Sequence, residues 1–158
     1  MRATGVIVSL TLLPVLLAPA SPTGACVCYE SAGLEADYRE AAAVFAGKVV
    51  GLEVVTTTIA GHLDEEMVAT LRVERHWKGP KSAEIRVRTC GTQEMLCTCG
   101  TDFQLGARFV VFAVGKPLST GSCQRTRRYQ RVPEETGLQW LGAEDLVHTL
   151  DVLSGAAR

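Results

Sequence analysis

The sequence has no excess of charge of either sign, no apolar run long enough to cross a bilayer, and few histidines. Sixteen basic side chains face seventeen acidic ones, a formal net charge of −1. That balance exerts no general pull toward nucleic acid, and no nucleic-acid partner is expected. The longest apolar run, Gly5 to Leu17, has 13 residues, whereas a membrane-spanning helix needs roughly 20. No transmembrane segment is expected. His62, His76 and His148 are widely separated and form no H-E-x-x-H or similar cluster. Asp64-Glu65-Glu66 is read as charge at a strand entrance in a hairpin-like turn, not as a catalytic carboxylate pair. No G-x-S-x-G, phosphate-binding loop or dinucleotide fingerprint is present either. The expectation is therefore a protein that is not an enzyme and carries no cofactor. Internal repeats, low-complexity runs and linkers are also missing.

What is present begins with a leader. Met1-Arg2 is a short positive start, Gly5–Leu17 is apolar, and the small-residue zone "APASPTGA" follows. This order reads as a secretory signal peptide over residues 1–25. The remainder, 26–158, is long enough for one domain with its own core. With Arg2 removed, 15 basic against 17 acidic side chains leave it a net charge of −2. Three processing outcomes stand open. Cleavage after Ala25 makes Cys26 the first residue, and cleavage after Ala20 makes it Ser21. Lipidation of Cys26 at "TGAC" is the third, if the chain is bacterial. The expected location is extracellular, or else a cell-surface lipoprotein or the periplasm.

All six cysteines, Cys26, Cys28, Cys90, Cys97, Cys99 and Cys123, follow the leader. In an exported chain an even count implies three disulfides, with 15 possible connectivities. A zinc site built from Cys26-x-Cys28 and Cys97-x-Cys99 is disfavoured. Structural zinc pairs usually leave two or more residues between ligands, and export favours oxidation.

Helix formers at Leu34–Ala43 predict a short helix. The β-branched run Val44–Val55 predicts a strand, with Gly47 and Gly51 marking a bulge. After a polar interval, Met67, Ala69, Leu71 and Val73 alternate with Val68, Thr70, Arg72 and Glu74, the pattern of a strand buried on one face. Ile85 and Val87 alternate with Glu84, Arg86 and Arg88, and Arg108–Gly115 is apolar enough for a central strand. Leu146, Val147, Leu150 and Leu153 share one face of a C-terminal helix. Trp77 and Trp140 are read as packing residues. The expected fold is mainly β: a small, disulfide-stabilised antiparallel barrel with two peripheral helices.

An ordered set of motifs carries a resemblance. "CVC", "AVFAGKVV", "VERHWKG", "IRVRTC", "CGTDFQLGARFVVFA" and "GSC" occur in an order similar to the netrin-like module. That module includes the inhibitory domain of the tissue inhibitors of metalloproteinases, and the resemblance runs from Cys26 to about Cys123. It implies an OB-type five-stranded barrel and the pairings Cys26–Cys99 and Cys28–Cys123, with Cys90–Cys97 as a local clip. It also implies a mechanism: the amine and carbonyl of Cys26 chelate the zinc of a target metalloproteinase, and Val27 enters the adjacent pocket. The chain would hold no metal of its own. In an extended segment Cys26 and Cys28 face one way and Val27 the other, so the cysteines anchor the segment that Val27 presents. The other function weighed is a non-inhibitory exported, or lipid-anchored, binding module for a protein or polysaccharide. Its partner patch would be Arg125, Arg127, Arg128 and Arg131, against the simpler reading of a solvated loop or edge. A monomer is expected.

Overall fold

The structure is a computed structural model that describes residue 28 and residues 32–59, 62–90, 99–134, 137–141 and 143–155. The side chains of 57–59, 62–64, 90, 131–134 and 137–141 stand outside that description. The leader therefore lies outside the described residues, as do Cys26, Val27 and Cys97.

A short helix, α1 (Leu34–Glu40), opens the described chain and gives way within three residues to β1 (Ala43–Ile59). β1 pairs along its length with β2 (His62–Lys78), and β3 (Glu84–Cys90) adds to β2. β4 (Arg108–Ala113) lies on the other edge of β1, followed by the two-residue β5 (Ser119–Thr120). β6 (Arg127–Glu134) pairs with β4, β7 (Gly137–Leu141) pairs with β6, and α2 (Glu144–Ser154) ends the fold. The strand order is β5-β3-β2-β1-β4-β6-β7.

This order corrects the expected five-stranded antiparallel barrel. The sheet is mixed, with β5 parallel to β3 and the other neighbouring strands antiparallel to each other. Chain direction explains the parallel pair. β1 and β3 run one way and β4 the other, so β5, turning back after β4, must run with β3. A second cause lies in the segment around "RTRRYQR", read from the sequence as a solvated loop or edge, which forms β6 alongside β4. With β7 it lengthens the sheet beyond β4 and leaves β5 and β7 as its two ends. The OB-fold and netrin-like descriptions fall with the barrel. The likeness to metalloproteinase inhibitors gains no support from the architecture.

Alternation buries β1 and β4 on both faces. Val44 and Ala46 of β1, with Val110 and Phe112 of β4, meet Trp77, Tyr129 and the α2 residues Leu146, Val147 and Leu150 on one side. Leu34 and Tyr38 of α1 pack against the same cluster. Phe45, Val49, Phe109 and Val111 meet Leu71, Ile85, Val87 and Phe103 on the other side. Phe103 and Phe109 meet edge to face with centroids 4.8 Å apart, a favoured aromatic geometry.

The helices are fastened to the end of β2. Tyr38 donates its hydroxyl to the Trp77 carbonyl at 3.0 Å, and Lys78 reaches the Tyr38 and Arg39 carbonyls at 2.7 and 2.6 Å. From α2, Asp151 accepts the Trp77 indole N–H at 2.7 Å and pairs with Arg75 at 2.7 Å. Gly79 (φ 94°) makes the turn after β2, where a Cβ would stand 2.7 Å from the Ala42 carbonyl oxygen. No described helix is long and apolar enough to cross a membrane.

Candidate functional site: the Cys28–Cys123 disulfide

The site singled out by the sequence is the segment Cys26-Val27-Cys28. The structure describes its last residue. Cys28 is exposed and bonded to Cys123, 95 residues further along the chain. By the chain-entropy model a closure of that length contributes about 4–5 kcal/mol through the unfolded state. Cys99 is also disulfide-bonded. The side chain of Cys90 and the whole of Cys97 lie outside the described residues, and the expected Cys90–Cys97 clip lies outside them too.

Two short segments hold the cysteines in place. The first is Thr120 to Thr126, which carries Cys123. Phe112 lies beyond the last β4–β6 pair, Val110 with Arg127, so its backbone needs partners other than a strand. Two threonines supply them. The Phe112 N–H donates to Thr126 Oγ1 at 3.0 Å, and the two threonine hydroxyls lie 2.7 Å apart. Thr120 Oγ1 donates to the Phe112 carbonyl at 2.8 Å. When Thr126 donates to Thr120, the three bonds close a ring from the N–H to the C=O of one residue. Both ends of the Cys123 turn are thus tied to Phe112, next to the last residue of β4.

The second segment is Cys99 to Thr101. The buried Thr89 of β3 accepts the Thr101 N–H at 2.7 Å. The Cys99 carbonyl accepts the Ser122 N–H at 2.8 Å, joining the two segments to each other. Gly121 permits this approach, since a Cβ there would sit 2.5 Å from the Cys99 carbonyl oxygen. Two cysteines, far apart in sequence, therefore stand on adjoining segments fixed to β3 and β4. Sequence reasoning missed Thr89, Thr120, Thr126 and Gly121. The signal that pointed to them was local: threonines flanking "GSC" and preceding the cysteine of "RTC".

The described arginines of the expected patch have separate surroundings. Arg125 pairs with Asp37 of α1, and Arg128 donates to Gln104 at 3.0 Å. Arg127 and Arg128 are adjacent in β6, so they leave the strand on opposite faces. Tyr129, between arginines in the sequence, is buried and donates to Glu74 at 2.8 Å, which also holds Arg108 at 3.0 Å. The Arg131 side chain lies outside the described residues.

The other charged candidates are dispersed as well. Glu66 pairs with Arg88 at 2.9 Å within the β2–β3 ladder, and His148 is exposed on α2. His76 Nε2 lies 3.0 Å from the Gly79 carbonyl oxygen, within hydrogen-bond reach of it. Among the described residues no group of three or more histidine, cysteine, aspartate or glutamate side chains is placed to hold a metal ion. An apolar cleft of about 500 Å³ lies elsewhere, between Ala42, Gly79-Pro80 and the Gly115–Leu118 turn. No family model matches the sequence, and no curated protein is similar enough to it to count as a relative.

Proposed function

We propose that the chain is an exported inhibitor of zinc metalloendopeptidases that acts through Cys26-Val27-Cys28. The single observation that carries this reading is the exposed Cys28, bonded to a Cys123 turn that is itself tied to β4 at both ends. A chain start fastened in this way loses little conformational freedom on meeting a partner, which removes a main cost of binding. The motif order behind the resemblance is the other support. The fold is not part of that support.

In this mechanism the target supplies the metal. A catalytic zinc keeps one position open for water or substrate. The amine and carbonyl of Cys26 take that position and displace the water, and Val27 fills the neighbouring specificity pocket. An α-amine titrates near 7.7–8.0, so the neutral nitrogen is accessible around neutral pH, and zinc favours it further. Nothing is cleaved, because no scissile peptide bond is presented across the metal.

The mechanism requires a free Cys26 amine. Intact mass of the processed protein reads the first residue directly, and a start at Ser21 or an acylated Cys26 sinks the proposal. With a free Cys26, the protein should inhibit a zinc endopeptidase, and one alanine placed ahead of Cys26 should abolish the inhibition. Inhibition that survives the added alanine would move the contact elsewhere. A free Cys26 without inhibition would favour the non-inhibitory binding module instead.

A further inference from the structure

The far half of the β1–β2 hairpin outruns the rest of the sheet. β4 pairs with β1 only from Ala43 to Lys48, and the loop before β4 extends the cover by one residue. There the Val49 N–H donates to Ala107 and the Gly106 N–H to the Val49 carbonyl, at 2.8 and 2.9 Å. Beyond Val49, no described residue pairs with that edge of β1. The nine residues Gly51–Ile59 stay in unbroken register with β2 on their other side, so they present an edge roughly 30 Å long that no described residue covers.

Such an edge is a template for another strand, and proteins usually blunt it with charge, proline or a bulge. Among the described residues this one is left uncovered. Its register shifts all lie before Gly51. It contains no proline or lysine, and its one charge, Glu53, is paired with Arg86 of β3. Among the described residues the large exposed hydrophobics are Leu52, Val54, Leu105 and Val152. Leu52 and Val54 lie on this edge, and Leu105 sits in the loop that borders its start.

We infer that Gly51–Ile59 is a dimerisation edge, on which a second copy of this chain pairs antiparallel about a two-fold axis. The charge pattern selects a second copy as the occupant. When identical strands pair about an axis anywhere from Val54 to Thr56, Glu53 faces an uncharged residue between Val55 and Ile59. The two glutamates are then never directly opposite each other, and valines and threonines oppose one another, pairs that stabilise a sheet. A two-fold contact is self-complementary and closes at two chains, which satisfies the edge without building a fibre. The monomer expected from the sequence is replaced by a reversible dimer, independently of any inhibitory activity.

Sedimentation or light scattering on the purified protein, with its N-terminus as processed on expression, tests this across a concentration series. The mass should rise from one chain to two and stop there. Val54→Lys, at a position 51% exposed, should return it to one chain at every concentration, with an unchanged circular dichroism spectrum showing that the fold survives. Val152→Lys removes the exposed valine on α2 and should leave the dimer intact. A single-chain mass throughout overturns the inference, whether another segment of the chain or a different protein then covers the edge. A dimer that tolerates Val54→Lys, or is lost with Val152→Lys, places the contact elsewhere and overturns it too.

Discussion

Thr126→Val is the sharpest probe of how the Cys123 turn is held. The substitution keeps the branched shape and removes only the hydroxyl. In the wild type that hydroxyl accepts the Phe112 N–H at 3.0 Å and lies 2.7 Å from the Thr120 hydroxyl. Phe112 is 2% exposed, so water cannot readily replace the lost acceptor. Leaving a buried N–H unsatisfied costs about 1–3 kcal/mol, and the lost threonine–threonine bond adds about 1. Thr120 keeps its own bond to the Phe112 carbonyl, which limits the total to about 2–3 kcal/mol. Thr126→Ser keeps the oxygen and deletes one methyl from a half-buried position, costing under about 1 kcal/mol. Urea unfolding of the three proteins measures both differences, and hydrogen exchange at the Phe112 amide reports the ring directly. Exchange should accelerate in the valine variant and not in the serine variant. If Thr126→Val lies within about 0.5 kcal/mol of wild type, or serine costs as much as valine, the ring does not hold the turn.

Asp151→Ala should cost about 2–3 kcal/mol in the same assay, because it strands the indole N–H of Trp77 as well as ending the pair with Arg75. Asp151→Asn keeps an acceptor for the indole and gives up only a part-exposed ion pair, so a loss below about 1 kcal/mol is expected; equal losses in the two variants would assign the effect to charge. Gly121→Ala drives a Cβ to 2.5 Å from the Cys99 carbonyl oxygen, and the displaced backbone should cost about 1–3 kcal/mol. Faster exchange at the Ser122 amide, which donates to that carbonyl, should accompany the loss, and wild-type exchange and stability would show that the segments do not touch.

What the sequence made legible follows the two core clusters. Ile85 and Val87 are buried while Glu84 and Arg86 are exposed, as the period-2 pattern requires. Leu146, Val147 and Leu150 are buried on α2, and Phe109 to Ala113 are buried throughout. Where a strand leaves the core, the pattern disappears although the ladder goes on. Thr56 to Glu66 reads as a polar interval, yet the β1–β2 ladder runs on through its described residues, from Thr56 with Glu65 to Ile59 with His62. For the same reason β6 reads as no more than an arginine-rich solvated loop or edge. Of its described side chains only Tyr129 is buried, and the partners of Arg125 and Arg128, Asp37 and Gln104, are 88 and 24 residues away. Pairing of that kind leaves no local trace.

Those hidden strands decided the architecture. An antiparallel barrel was the natural inference from four apolar strands, since those strands alternate in direction and need their edges covered. The sequence offered no count of strands outside the core, and two of them, β6 and β7, take the edge of β4. The same excess of backbone over core produces both features that bear on function. At β4 the strand β6 stops pairing at Val110, and the next backbone groups are met by the threonines that fix the Cys123 turn. At β1 the cover stops at Val49, and the edge beyond it is met by nothing among the described residues. One interruption anchors Cys28 through the Cys123 turn; the other leaves a strand for a second copy. Backbone hydrogen-bond demand sets both places, because each lies where a strand outlasts its neighbour.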